Sequence, residues 1–419
     1  MERMRNAWLL LVALPLAACA GTAATEAPTE VPQRIREELK ALQLTVLEEI
    51  RQAVADNFVY SDFGGTDWES EASLARRRVE TGLTEEEFAI AVDDMVAALP
   101  DGSAGFMTRA ERVEAEFQSS TLYEGIGAFV SFRTEPVPRV LLLSVIAGSP
   151  AEEAGLQAHD AIYRVDGFPV TAEEGLSIIE RVRGPAGTEV MLEVASPSED
   201  AREVMVRRDR VTASDTLKGD LLAPGIIYVL VPVAVDSTLA ERVAGLLEVS
   251  EIEQEPALGL ILDLRIAGSG SSWPLTEMLT LLGEGPMGQF ATRGGEQPVV
   301  IPGVDLSNSQ NIPLAILVGP DTSGAPEIFA GALQGTGRAT LVGLGTNGSV
   351  LSFRQQTLSD GSLLTFADSS YITPSGSDLS LSGLTPNLFI QSDWDQVSPD
   401  SDPVIQSAID FLLGVQVGD

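Results

Sequence analysis

From Arg34 to about Phe117, apolar residues recur at helical spacing. Leu39, Leu42, Leu44, Val46, Leu47 and Ile50 make the apolar face of a first helix. Thr84 with Glu87 forms a capping box ahead of "FAIAVDDMVAAL", and Pro100 stops that helix. Near Tyr123 the texture changes to strands and turns. Ser149, Pro150 and Glu152 open a short capped helix that Gly155 ends. A second helix is predicted from Thr171, capped with Glu174, presenting Leu176, Ile179 and Val182 and ending at Gly184. "TEVMLEVAS" and "REVMVRRDRV" alternate as a closing strand pair. After Arg210 the pattern is α/β. "GIIYVLVPV", "ALGLILDLR", "PLAILV" and "RATLVGL" are apolar runs suited to strands buried on both faces. Between them lie helical stretches, "DSTLAERVAGLLEV" and "APEIFAGALQ". A hairpin is predicted around Asp360-Gly361, and "DPVIQSAIDFLL" makes a last amphipathic helix.

A chain of 419 residues is long enough for two or three domains. Its net charge of −35 argues against a nucleic-acid partner, whose phosphates require Lys and Arg. The acidity reads as a well-solvated surface. The first residues change the picture more. "MERMR" is a short basic start, and "AWLLLVALPLA" is too short to span a bilayer. Leu16-Ala17-Ala18-Cys19 resembles a bacterial lipobox, which implies a signal peptide over 1–18, cleavage before Cys19 and lipidation of its thiol. Cys19 is the only cysteine of the chain, and a lipid explains a leftover thiol in an exported protein. Residues 19–33, small, polar and Pro-containing, read as a flexible tether. The expected location is therefore the extracytoplasmic side of a bacterial envelope, attached to membrane through the lipid alone.

"SPAEEAGL" followed at fixed spacing by "DAIYRVDG" resembles a bacterial PDZ domain, covering residues 121–211. The resemblance implies a ligand: a free peptide or protein C-terminus. The Gly125-Ile126-Gly127-Ala128 loop would turn its N–H groups toward the terminal carboxylate, and the peptide would add as a strand beside "AFVSF". His159, the only histidine, stands where this family usually has glycine and reads as an exposed turn residue.

Together with "GLILDLR", "PEIFAGALQGTGRATLVG", "SDGSLLTF" and "YITPSG", these segments resemble the C-terminal processing peptidases, also called tail-specific proteases. The implied fold is an α/β multidomain one. It comprises an N-terminal helical region (34–120), the PDZ domain and a crotonase-like α/β core (212–419). In that family a serine attacks the scissile carbonyl and a lysine is its general base. The serine lies three residues before a glutamate that matches Glu327, and Gly324 stands there. Anchoring on Gly348-Ser349-Val350 puts Asn347 at the lysine position, whereas an ungapped count gives Ser349. The family's oxyanion donors map to Ala325 and to Ser269 or Gly270.

Composition leads to the same place without the resemblance. The chain has two lysines, Lys40 and Lys218, and none after Leu221, where there is also no histidine or cysteine. A serine hydroxyl is a weak nucleophile unless a base takes its proton. The remaining carboxylates, such as Asp321 and Glu327, are poor bases at neutral pH. Neither cofactor nor metal is called for. Three readings stay open: a peptide-binding pseudopeptidase; a working peptidase with an offset nucleophile, Ser323 or Thr322; and a scaffold without ligand.

Overall fold

A computed structural model of the chain describes residues 32–113, 123–211, 217–223, 225–252, 257–268, 273–398 and 401–414. Cys19, the signal segment and nearly all of the tether lie outside them.

The N-terminal region forms three helices, α1 (Gln33–Asn57), α2 (Trp68–Glu80) and α3 (Glu85–Val96). Thr84 and Glu87 make the reciprocal capping bonds that their spacing predicts. One stretch departs from the helical reading: Ala104–Met107 is a strand, β1. Four residues carry no usable period. Its hydrogen-bond partners come from Leu363–Phe366, far along the chain.

The PDZ domain contains β2 (Tyr123–Gly125), β3 (Ala128–Arg133), β4 (Arg139–Val145), β5 (Ala161–Val165), β6 (Phe168–Pro169), β7 (Glu189–Ala195), β8 (Arg202–Arg207) and β9 (Asp209–Val211). Its main sheet has the order β3-β4-β5-β7-β8, so β3 is an edge strand; β6 pairs with β5, and β2 pairs with β9. The Thr171 side chain and backbone bond Glu174 as predicted, but a 3₁₀ turn (Gly175–Ile178) precedes one α-turn (Ile179–Val182).

The core holds a six-stranded sheet of β10 (Lys218–Ala223), β11 (Ile226–Leu230), β12 (Gly259–Asp263), β15 (Leu314–Val318), β16 (Thr340–Gly343) and β19 (Leu388–Phe389), in that order. All neighbours are parallel except β10 and β11. Period-two alternation divides the apolar runs between two faces. Leu260, Leu262, Leu314, Ile316 and Val318 pack beneath the helices Leu239–Ile252, Leu275–Leu282 and Ala325–Gly335. Ile261, Ala315 and Leu317 meet Val404 and Ala408 of the helix Pro403–Leu412. Each fully buried side chain of this size contributes about 1.5–3 kcal/mol.

A second sheet contains β1, β13 (Gly285–Thr292), β14 (Gly295–Ile301), β17 (Ser352–Thr357) and β18 (Leu363–Ile372). The hairpin at Asp360-Gly361 joins β17 to β18. Leu364, Phe366 and Ala367 of β18 share one core with α1–α3, so the helical region is built onto the core domain.

Candidate active site

The loop 319–324 leaves the C-terminal end of β15 and enters the helix Ala325–Gly335, with Gly324 as its N-cap. Gly324 has φ 64° and ψ −129°, a conformation that a side chain occupies only under strain of about 1–3 kcal/mol. The sharp strand-to-helix turn is therefore kept at the position the family resemblance assigns to the nucleophile, without a side chain.

Two segments hold this loop. Behind β12, the carbonyl of Ala267 accepts the N–H of Ser323 at 3.2 Å. Behind β16, the carbonyl of Ser349 accepts the N–H of Gly324 at 2.8 Å. The Thr322 hydroxyl is fully buried; it donates to the Leu264 carbonyl at 2.8 Å and accepts from the Gly319 N–H at 3.0 Å. It is a structural group here rather than a nucleophile. Ser323 is half-buried against Gly268, and among the described residues no base is bonded to its hydroxyl. Ala325 is the first helical residue, where backbone N–H groups lack intrahelical partners. Ser269 and Gly270 lie outside the described residues.

Asn347 is exposed and donates from Nδ2 to the Pro320 carbonyl at 2.9 Å, so residue 347 does reach the loop. Ser349 is exposed and contributes its carbonyl. Glu327 is completely buried. Its Oε1 accepts from the Thr346 hydroxyl and, at 2.8 Å, from the Gly348 N–H, tying the base-position loop to the helix's first turn. Burial raises its pKa, outweighing those hydrogen bonds.

The sign of that shift is testable. A carboxyl whose folded pKa is raised stabilises fully below its unfolded value, about 4.3, and loses the contribution as pH rises through the folded value. Gln in its place keeps an acceptor for Thr346 and Gly348 and does not titrate. Glu327→Gln is therefore expected to gain stability relative to wild type as pH rises from about 4.5 to 8. Urea midpoints across that range measure it; a difference independent of pH contradicts the assignment.

Asp321 is committed elsewhere. It accepts from Ser131 and forms a salt bridge with Arg133 at 2.6 Å, both on the PDZ edge strand β3. Arg133 also pairs with Asp393 at 2.9 Å. Burial opposes its charge, but the two carboxylates outweigh burial and hold the guanidinium above its ordinary pKa. These partners lie 188 and 260 residues from Arg133 in sequence, and no local signal announces them. A cavity of about 390 Å³ lies between the PDZ domain and the core, lined by Leu143, Ser144 and Gln157 of the one and Leu230, Pro232 and Ile266 of the other.

At the predicted carboxylate loop, Gly127 has φ 82°, and a Cβ there would lie 2.4 Å from the Ser149 Cβ. The carbonyls of Ile126 and Gly127 accept from the N–H groups of Ala151 and Ile146. In a trans peptide the N–H opposes the carbonyl, so the N–H groups of Gly127 and Ala128 point away from that packing. Gly125 ends β2 and Ala128 begins β3.

The profile of peptidase family S41 matches residues 237–390, and a PDZ-domain profile matches residues 142–196. A carboxyl-terminal-processing protease of Synechocystis sp. is 30% identical over 336 residues, covering 78% of both chains. A probable CtpA-like serine protease of Staphylococcus haemolyticus is 26% identical, covering 72% of this chain and 60% of that relative's length. Among solved structures, a photosystem II D1 C-terminal processing protease superposes with a TM-score of 0.62 at 22% identity, covering 86% of this chain and 99% of the other. Mature CPAF gives a TM-score of 0.55 at 13% identity, covering 91% and 99%. These two likenesses concern the fold.

Proposed function

The chain belongs to the C-terminal processing peptidase family of S41 peptidases, and we propose that it is a lipid-anchored pseudopeptidase that binds peptide or protein C-termini through its PDZ domain. The observation that carries this reading is Gly324: the turn that would present a nucleophile ends in a residue with no side chain. Asn347 at the base position is an amide, and Asp321 is paired with Arg133. Of the family's oxyanion positions, Ala325 keeps its backbone N–H in the first turn of its helix, a group that holds an anion but transfers no acyl group by itself. A fluorophosphonate probe is expected to leave the wild-type protein unlabelled. Peptide cleavage that Ser323→Ala abolishes would replace this reading with an offset nucleophile.

For binding, the support is the edge position of β3 and the outward N–H groups of Gly127 and Ala128. A peptide with a free C-terminus is expected to bind more tightly than its amidated twin by about 1.5–3 kcal/mol, the scale of a hydrogen bond to a charged group. Calorimetric titration of both peptides measures this. Equal affinities refute the carboxylate site, and binding of neither favours a scaffold.

The anchor rests on the lipobox and the single cysteine. Wild type is expected to partition into the detergent phase of a Triton X-114 separation, and Cys19→Ala into the aqueous phase. Identical partitioning refutes lipidation.

A further inference from the structure

We propose that His159 is a pH-sensitive latch between the PDZ domain and the core, closed at neutral pH and released in mild acid. The sequence reading places His159 on an exposed turn; the structure buries it to 9% exposure with φ 75°. The correction comes from a partner 235 residues away, the segment carrying Trp394, which covers the turn. The imidazole stacks on the Trp394 indole at 3.9 Å between centroids and 20° between planes. Its Nδ1 lies 2.7 Å from the Trp394 carbonyl oxygen. A carbonyl only accepts, so Nδ1 carries the hydrogen and Nε2 is the site left to take a proton. The Trp394 Nε1–H donates across the same boundary to the Leu142 carbonyl of β4 at 3.0 Å.

Every charge around the ring already has a partner or opposes a second cation. The Arg265 guanidinium of the core lies 5.2 Å from the Trp394 ring centre and repels a protonated imidazole. The core carboxylates Asp263 and Asp402 attract it, but both are bonded to Arg265 at 2.7 Å. On the PDZ side, Asp160 is bonded to Ser196 and Arg202. Beside Trp394, Asp393 pairs with Arg133 and Asp395 with Arg139. Burial is the largest influence and lowers the His159 pKa, with Arg265 adding to it.

The linkage follows. A histidine whose docked pKa is depressed stabilises docking fully above its undocked value, about 6.5, and the contribution is lost as pH falls below it. The imidazole and indole sit beside the interdomain apolar cluster of Leu141, Leu143, Ile266 and Trp394, so a charge on the ring is placed at the seam between the two domains.

Two measurements test the latch in the full chain. As the only histidine, His159 gives one set of imidazole NMR signals. Its titration midpoint is expected below the ordinary value of about 6.5; a midpoint at or above that overturns the proposal. Spin labels at the exposed positions Met205→Cys and Val300→Cys, in a Cys19→Ser background, report the domain separation by pulsed electron resonance. Between pH 7.5 and 5.5 the separated population is expected to grow by up to about tenfold per pH unit below the undocked pKa. His159→Asn, which tolerates a positive φ and does not titrate, is expected to show no change across that interval. An unchanged separation in wild type, or the same pH response in His159→Asn, overturns the proposal.

Discussion

Arg265→Leu is expected to destabilise the chain by about 3–5 kcal/mol, because it strands two buried carboxylates. Arg265 is 8% exposed and bonds Asp263 through Nε and Nη2, while Nη2 also reaches Asp402 at 2.7 Å. Asp263 is completely buried and further accepts from the Tyr228 hydroxyl at 2.8 Å. Asp402 caps the helix Pro403–Leu412 by accepting from the N–H groups of Val404 and Ile405. Burial disfavours the Arg265 charge, and the two aspartates more than restore it, holding its pKa raised. The energetic cost of breaking such a cluster comes from the charges left behind, not from the net strength of the cluster itself. Neutralising those charges should therefore recover most of the loss. In the triple variant Arg265→Leu, Asp263→Asn and Asp402→Asn, residue 402 keeps a capping oxygen and no buried charge remains. Guanidinium unfolding of the three proteins measures the effect. A triple variant no more stable than Arg265→Leu would show that the cation–π contact with Trp394, not charge pairing, dominates.

Gly324→Ser carries the second large expectation. The φ of 64° and ψ of −129° are to cost the serine variant about 1–3 kcal/mol, and the variant is to have no turnover, since no base faces the hydroxyl. Adding Asn347→Lys supplies an amine next to the loop, where the asparagine now bonds the Pro320 carbonyl. That position is exposed, so its lysine keeps an ordinary pKa of about 10.4. Only the neutral amine accepts a proton, and its fraction rises about tenfold per pH unit below that value. Turnover by the double variant is thus expected to climb tenfold per unit between about pH 7 and 9, from a low base, because a misplacement of about 1 Å costs 10²-fold. Peptide hydrolysis followed across pH reads this out. Activity in Gly324→Ser alone, or a flat profile in the double variant, would place the base elsewhere.

Much of the fold is legible in the chain because it is written locally. The runs "LILD" and "LAILV" alternate between two buried faces, and Thr84 with Glu87 closes its capping box within one helical turn. The absence of lysine, histidine and cysteine after Leu221 is likewise a property of the sequence alone. That absence limits the chemistry available to the core beyond Leu221 before any coordinate is known, since proton transfer requires a group of suitable pKa.

Tertiary structure decided what depends on distant partners. β1 is a strand because β18 offers it hydrogen bonds, although its four residues favour nothing strongly. Asp321, a candidate base when read along the chain, is neutralised by an arginine 188 residues away. His159, polar and in a turn, is buried because an indole 235 residues away along the chain covers it. Side-chain spacing fixes local conformation, since those bonds close within a few residues. Burial and charge pairing in space arise only when the domains meet, and that meeting sets whether a given carboxylate or imidazole is solvated, paired or stacked.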